Sequence, residues 1–186
     1  MIYDGEIVGR TVRLRSVTED DAEVTLRMRT DPEKSRYIHS VPGDIESQRA
    51  FIRSQMAKEG DYLFLIETLD GKPIGMKGVY DFDPDTNSVE TGRFISYGSQ
   101  IQSIEALLLS FDFAFDVLGV QKIRMSVLSD NTNMKGIQER FGVTVTDVEK
   151  SAEFQCDTIY SVLTPDIYAR ARPKIIALIE RFASRM

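Results

Sequence analysis

The chain has 186 residues, of which 42% are hydrophobic, and this is enough for one domain with a substantial core and too few for two. Its formal net charge of −6 argues against a nucleic acid or an anionic membrane as partner, because both bind basic surfaces. The single cysteine, Cys156, has no partner for an internal disulfide. One cysteine and one histidine are too few ligands for a zinc site, so no metal centre is expected.

The N-terminal region and the longest apolar runs favour a cytoplasmic protein. The first ten residues, MIYDGEIVGR, lack the apolar stretch of a signal peptide. Runs such as LFLI and ALLL are too short to span a bilayer.

The first half of the chain predicts one strand, two helices and an antiparallel meander. Residues 11–16 alternate apolar and basic side chains, which is typical of a half-buried strand. Thr18 and the three acidic residues after it predict a helix at 19–30, and Asp44 is placed to cap a second helix at 45–58. Turn signals then separate three strands, at Tyr62–Thr68, at 72–80 and at Ser88–Ser96.

Residues 88–142 form the unit around which the rest is organised: a strand, a polar loop, a helix, a strand at 122–127 and an Asn131-led helix at 131–141. Residues 104–118 place six apolar side chains on one face at a helical period: Ile104, Leu107, Leu108, Phe111, Phe115 and Leu118. A strand–helix–strand run of this length forms a right-handed crossover, so its two strands are expected to be parallel.

The polar loop at 97–103 lies where a helix N-terminus would meet an anionic ligand. Its small and polar residues would offer backbone amides and hydroxyls to a phosphate. The same loop is also typical of an ordinary capped crossover helix, so the pattern by itself leaves both interpretations open.

The C-terminal part predicts two more strands, at 143–149 and Asp157–Leu163, and a terminal helix. Thr164 and Pro165 supply its N-cap and first position, so residues 164–186 form an appended element of the single domain 1–186. An apolar stripe runs along this helix: Ile175, Leu178, Ile179, Phe182 and Met186. The stripe would pack on the chain's own sheet or on a second subunit, which leaves a homodimer open.

The order of these elements resembles the GNAT N-acetyltransferases, and within them the branch that includes ribosomal-protein and amino-sugar N-acetyltransferases. The resemblance covers residues 11–163 and is carried by VRLRSVTEDDAE and by SIEALLLSFDFAFDVLGVQKIRMSVLSDNTNMKGIQERFGV. It implies an α/β (α+β) GNAT fold, in which a mixed, mostly antiparallel sheet of about seven strands surrounds a central β-loop-α-β unit that binds acetyl-CoA. The terminal helix lies outside the resemblance.

The resemblance also implies a site for acetyl-CoA. The two strands of the central unit would splay apart, and backbone groups of Phe94, Ile95 and Ser96 would pair with the pantetheine amides as if the arm were an extra strand. Asn131 would hydrogen-bond near the pantetheine or acetyl end, a role that is compatible with capping its own helix. The pyrophosphate would be surrounded by Ser99, Gln100, Ile101, Gln102 and Ser103.

Two positions depart from the family pattern. The family's pyrophosphate loop usually has glycine where Ser99 and Ile101 stand, and side chains there add bulk that would weaken or shift cofactor binding. Many members carry a tyrosine that protonates the leaving thiolate where this chain has Gln138, and an amide is not an acid.

Glu90 matches the position at which relatives often place the carboxylate that takes a proton from the acceptor amine. A salt-bridged strand residue, paired with Arg93, is the alternative interpretation. Tyr37, His39 and Tyr80 occupy loop and strand-end positions that could contact the acceptor, and each is also explained as a structural residue.

The sequence therefore predicts a cytoplasmic N-acetyltransferase that moves the acetyl group of acetyl-CoA directly to the primary amine of a small acceptor. An amino-sugar nucleotide is preferred because EGDYLFLIE and VETGRFI resemble the amino-sugar branch. A protein or peptide N-terminus is an alternative acceptor. A degenerate domain that binds a ligand or partner without catalysis is an alternative of another class.

Overall fold

The computed structural model describes residues 1–38 and 40–184, and one sheet of eight strands forms its centre. The strands are β1 (Ile7–Val8), β2 (Val12–Ser16), β3 (Tyr62–Thr68), β4 (Pro73–Asp83), β5 (Ser88–Ser96), β6 (Lys122–Leu128), β7 (Thr144–Lys150) and β8 (Asp157–Leu163). The helices are α1 (Ala22–Thr30), α2 (Ile45–Ala57), α3 (Gln100–Asp112), α4 (Thr132–Phe141) and α5 (Pro165–Ala183).

The strand order is β1-β2-β3-β4-β5-β6-β8-β7, and within the described part of the chain only the β5–β6 pair is parallel. This confirms the predicted meander over β3 to β5 and the predicted parallel crossover through α3. The mixed, mostly antiparallel sheet is also confirmed, with eight strands in place of about seven because Ile7–Val8 adds a short edge strand along β2.

Two predicted boundaries are wrong by three residues or more. Helix α3 begins at Gln100 and not at residue 104, because Ser99 and Gln102 form a reciprocal capping box. After Asp112 it continues as a single π-helical turn, Phe113–Val117. Strand β4 runs three residues past its predicted end. The helix predicted at 19–30 has those bounds and consists of a 3-10 turn, Glu19–Asp21, followed by α1.

Two apolar clusters lie on opposite faces of the sheet. On one face, α1 and α2 cover Leu63, Leu65, Met76 and Ile95. On the other, α3, α4 and α5 cover a larger cluster that includes Phe64, Val79 and Val89. We call these the α1/α2 face and the α3/α4 face. Because strand side chains alternate, each residue of β4 and β5 is assigned to one face or the other.

The terminal helix packs on the chain itself, against α3 and α4. Tyr168, Ile175 and Ile179 are buried in the larger cluster. Asp112 of α3 accepts hydrogen bonds from the Tyr168 hydroxyl at 2.7 Å and from the Arg172 guanidinium at 2.7 and 2.9 Å. Of the predicted stripe, Phe182 stays 39% exposed, and Met186 lies outside the described residues.

None of the helices described here is long and apolar enough to cross a membrane.

Candidate active site

The strands β5 and β6 part after three paired rungs and open a cleft in the sheet. The paired residues are Ser88 with Lys122, Val89 with Ile123 and Glu90 with Arg124. Beyond them lies a cavity of about 470 Å³, bounded by residues 91–94 of β5 and 125–128 of β6. An unpaired strand edge in such a cleft can accept an extended ligand arm through backbone hydrogen bonds.

A β-bulge shapes the β5 wall of this cleft. Met76 pairs with Ile95 and Gly78 pairs with Gly92, so two residues of β5, at 93 and 94, oppose the single residue 77 of β4. The bulged Arg93 has φ of 51°, in the left-handed region that non-glycine residues rarely occupy.

Side-chain contacts of Arg93 hold the bulge in place. Its guanidinium donates to the fully buried carboxylate of Asp61 at 2.8 Å and to Gln55 at 2.6 Å. It also stacks 3.9 Å from the centre of the Tyr80 ring. The Tyr80 side chain lies close against β5, because a Cβ at Gly92 would overlap the Tyr80 hydroxyl. The strained backbone is therefore over-determined by its surroundings.

Glu90 occupies the last paired rung, on the α1/α2 face. The Tyr80 hydroxyl donates to Glu90 Oε1 at 3.3 Å, and Arg124 Nη1 lies 3.8 Å from Glu90 Oε2. Burial and the Glu90 charge raise the pKa of Tyr80, which keeps its hydroxyl protonated as a donor. The alternative interpretation, in which Glu90 pairs with Arg93, is wrong, because Arg93 forms its ion pair with Asp61.

Three of the predicted site residues line the cavity: Tyr37, Phe94 and Asn131. Asn131 caps α4 by accepting from Met134 N at 3.1 Å, so it caps its helix and faces the cleft at once. The Tyr37 hydroxyl donates to the Asp130 carbonyl at 3.1 Å and joins the segment after α1 to the turn before α4. Gln138 is buried on α4 and also lines the cavity.

Of the other predicted residues, those that the structure describes do not line the cavity. Ile95 turns its side chain into the α1/α2 cluster, and Tyr80 lies beneath Arg93. Glu90 stands at the vertex, and His39 lies outside the described residues.

Side chains in and beside the predicted pyrophosphate loop satisfy three of the backbone donors in this segment. Gly98 N donates to Ser96 Oγ at 3.2 Å, Ser99 N to Gln102 Oε1 at 2.8 Å, and Gln102 N to Ser99 Oγ at 3.3 Å. The Ser103 hydroxyl donates to Ser96 Oγ at 2.8 Å. Three of the amides that could meet a diphosphate are thus bonded to nearby side chains.

Two donors of the first turn of α3 remain available. The N–H groups of Gln100 and Ile101 have no hydrogen-bond partner in residues 1–38 and 40–184. The Ile101 side chain packs against the larger apolar cluster instead of pointing at the loop. A phosphate can therefore approach this helix end, with fewer amides than a glycine loop would supply.

The sequence reasoning missed Lys77, the residue of β4 opposite the bulge. Its side chain is 3% exposed, lines the cavity and faces the α3/α4 side with Phe64 as its strand neighbour. Its Nζ lies 5.7 Å from the ring centre of Phe94 and 6.0 Å from that of Phe111. Burial lowers the pKa of Lys77 to about 7. The available signal was a lone lysine within the apolar strand PIGMKGVY.

Residues 149–154, the end of β7 and the first part of the loop that leads to β8, also line the cavity and were not predicted. Among the residues that the structure describes, no three histidine, cysteine or carboxylate side chains are grouped as metal ligands.

A family model described as an acetyltransferase (GNAT) domain matches residues 11–144. Among solved structures, the apo structure of FdhC, a nucleotide-linked sugar GNAT, superposes with a TM-score of 0.81 at 25% identity, over 92% of this chain and 97% of that chain. A GCN5-related N-acetyltransferase from Brucella melitensis has a TM-score of 0.78 at 16% identity, over 95% of this chain and 86% of that chain. A variant of the spermidine N-acetyltransferase SpeG from Vibrio cholerae has a TM-score of 0.74 at 14% identity, over 86% of this chain and 97% of that chain. No curated protein matches the chain.

Proposed function

The chain belongs to the GNAT acetyltransferase family, and from this we propose that it transfers the acetyl group of acetyl-CoA directly to the primary amine of a small acceptor. The observation that carries the proposal is the cleft between β5 and β6, which opens immediately beyond Glu90. The site thus has a carboxylate, which can accept a proton, at the point where the strands separate, and beside it an unpaired strand edge that can bind the acetyl donor.

The cleft fits the pantetheine arm of acetyl-CoA, which is the cosubstrate of this family. Beyond Glu90 the strand β5 pairs only with β4, so the edge that carries Phe94 to Ser96 faces the opening. Asn131 lines the opposite wall. The first-turn amides of α3 would meet the diphosphate, and the bonded loop amides predict a modest affinity.

Glu90 is the proposed general base. An amine is mostly protonated near pH 7, so it must lose a proton before or during its attack on the thioester. Glu90 lies on the α1/α2 face, oriented by the Tyr80 hydroxyl, and accepts that proton directly or through a water. Backbone N–H groups at the bulge, beside Phe94, would stabilise the oxyanion that forms on the carbonyl oxygen.

The preferred acceptor is an amino-sugar nucleotide. The similarity to a nucleotide-linked sugar GNAT supports this acceptor class, and so does Lys34, which lines the cavity on the segment after α1. Lys34 forms no ion pair within the described part of the chain, and its Nζ lies 5.3 Å from the ring centre of Tyr97. A cation in this position suits an acceptor that carries phosphate more than it suits a polyamine.

The first test is a thermal-shift titration with acetyl-CoA beside desulfo-CoA and ATP. A ligand present at about 100 times its dissociation constant stabilises the fold by roughly 2.7 kcal/mol, or about 5–10 °C in a domain of this size. A saturable shift with acetyl-CoA and none with ATP supports the proposed donor. Turnover is then measured with an amino-sugar nucleotide, spermidine and an N-terminal peptide, and Lys34→Ala should raise the KM of the nucleotide most.

A ligand-binding domain without catalysis is the second candidate, favoured by the self-bonded loop at Ser99 and Gln102. It predicts no shift with acetyl-CoA at millimolar concentration and no turnover of any of the three amines. Acetyl-CoA binding with turnover would exclude it.

A further inference from the structure

Lys77 is a buried cation at the centre of the cleft that the reaction described above does not use. Only 3% of the residue is exposed, and its Nζ is near the rings of Phe94 and Phe111. Within residues 1–38 and 40–184 it forms no hydrogen bond and no ion pair. A side chain this buried, with aromatic neighbours and no ion-pair partner for its ammonium, is costly, and its place in the cavity lining makes the ammonium available to a ligand.

The position of Lys77 relates it directly to the reacting atoms. It opposes the bulge of β5, where the strand leaves β6, and it lines the same cavity as Asn131 and Gln138. Its side chain lies on the α3/α4 face, whereas that of Glu90 lies on the α1/α2 face. The vertex of the cleft therefore has a carboxylate on one side of the sheet and an ammonium on the other.

Lys77 lines the same cavity as Gln138, the residue at which the resemblance leaves a proton donor missing. Gln138, the residue where many family members have a tyrosine, is on α4 next to Phe141, and the Phe141 ring packs 4.9 Å from the Phe111 ring. Phe111 is also the ring neighbour of Lys77. The side-chain amide of Gln138 cannot release a proton, and the ammonium of Lys77 can.

The charges around Lys77 leave it able to change protonation state near neutral pH. Burial lowers its pKa to about 7, and the Glu90 carboxylate opposes this shift by favouring the ammonium. The other charged residues around the cavity are Arg93 on β5, Lys34 after α1, Glu149 and Lys150 at the end of β7, and Glu153 between β7 and β8. An acid whose pKa is close to the operating pH transfers its proton most efficiently.

We propose that Lys77 is the general acid of the transfer, the group that protonates the thiolate of CoA as it leaves. The proposal rests on the acetyl transfer proposed above. The acceptor ammonium first loses one proton to Glu90, which passes it to solvent. The amine nitrogen then forms a bond to the acetyl carbonyl carbon, and the nitrogen of the tetrahedral adduct gives its second proton to Glu90. The carbon–sulfur bond breaks, the sulfur keeps the electron pair, and it takes a proton from the Lys77 ammonium. Glu90 then releases a proton to solvent and Lys77 takes one up, which restores both groups.

The test compares Lys77→Met, Lys77→Arg and a control, Lys72→Met, which changes an exposed lysine just before the same strand. Methionine keeps the length of the side chain and suits an apolar site. Arginine keeps the positive charge and does not release its proton. The kcat of both Lys77 variants should fall by at least about 100-fold, with acetyl-CoA affinity unchanged within about threefold, and the control should match the wild type.

Two further readouts separate proton donation from a structural role. The wild-type kcat should decline on the alkaline side as Lys77 loses its proton, and Lys77→Met should lack this decline. The second readout is the pH at which the ultraviolet absorbance of the thiolate appears in bound CoA, which requires no turnover. At pH 7 a lysine with a pKa of about 7 leaves CoA mostly as the thiol. On raising the pH, the thiolate should appear at a lower pH in the wild type than in Lys77→Met, because the Lys77 ammonium stabilises it.

Full activity in Lys77→Met, or a preserved alkaline decline, would overturn the assignment while leaving acetyl transfer intact. Full activity in Lys77→Arg would show that only the charge matters and would equally overturn it. A wild-type protein that binds CoA without turnover would contradict the acetyl-transfer proposal, and the thiolate absorbance would still decide the role of Lys77. Failure of the wild type to bind CoA would overturn both.

Discussion

Replacement of Lys77 by methionine should change how the stability of the fold depends on pH. The lysine has its ordinary pKa of 10.5 in the unfolded chain and a pKa of about 7 in the fold. Between these values the unfolded state binds more protons than the folded state, so the free energy of unfolding of the wild type rises with pH. Below pH 7 both states carry the proton, and the full cost of burying the charge is present.

The magnitude follows from the linkage relation. The slope approaches about 1.4 kcal/mol per pH unit where the folded lysine is neutral and the unfolded one is charged. From pH 7, where the folded lysine is about half charged, to pH 9, the wild type should gain about 2 kcal/mol relative to Lys77→Met. For a chain of this size that is roughly 4–8 °C in the unfolding midpoint.

The assay is urea unfolding of the wild type, Lys77→Met and Lys72→Met at pH 7 and pH 9 and at one ionic strength. The methionine variant should be the more stable protein at pH 7, and its advantage should shrink at pH 9. The three proteins share every ionisable group except Lys72 and Lys77, so the contributions of the shared groups cancel. Parallel pH profiles of the wild type and Lys77→Met would refute the reasoning, since they would mean that the ammonium is solvated or paired in the fold.

Three other changes test the remaining parts of the site. Glu90→Gln should lower kcat by at least about 100-fold and spare the acetyl-CoA dissociation constant, because an amide cannot accept the proton; an unchanged rate would remove Glu90 from the mechanism. The double change Ser99→Gly with Ile101→Gly should tighten acetyl-CoA binding in calorimetry, because it frees the Gln102 amide that is bonded to Ser99 Oγ. A large gain in affinity would favour the interpretation of the native loop as degenerate and weakly binding. No gain would show that the capping hydrogen bond of Ser99 does not limit binding. Asp61→Asn should reduce the free energy of unfolding, measured by urea denaturation, by about 3 kcal/mol, because it leaves the half-buried charge of Arg93 without its carboxylate partner. A loss below about 1 kcal/mol would mean that the Arg93–Asp61 pair does not support the bulge.

The periodic parts of the fold could be predicted from the sequence, because short-range patterns determine them. The apolar stripe from Ile104 to Phe111 predicted the crossover helix and hence the parallel strands on either side. The start of the helix was predicted four residues late because polar residues at 100–103 resembled a loop. The capping signature Ser99-x-x-Gln102 was present in the sequence and would have corrected it.

The location of the cleft could also be predicted, through the resemblance. The burial of its side chains and their ion-pair partners could not. Whether a strand residue such as Lys77 is exposed depends on which face α3 covers, and this is a long-range property. The same limit explains Arg93, whose partner Asp61 is 32 residues away and follows a different helix. Pairs of this kind leave no mark in the local pattern of either segment.

The bulge at Arg93 accounts for the arrangement of the whole site. Regular alternation from Glu90 would point Phe94 toward the α1/α2 face and Ile95 toward the α3/α4 face. With one extra residue inserted, Phe94 lies beside Lys77 and Ile95 returns to the α1/α2 cluster. Glu90 precedes the insertion and stays on the α1/α2 face beside Tyr80. Strand alternation therefore places the proposed base and the proposed acid on opposite faces of the sheet. The single strained residue, held by Asp61 and Tyr80, brings Phe94 to the side of Lys77.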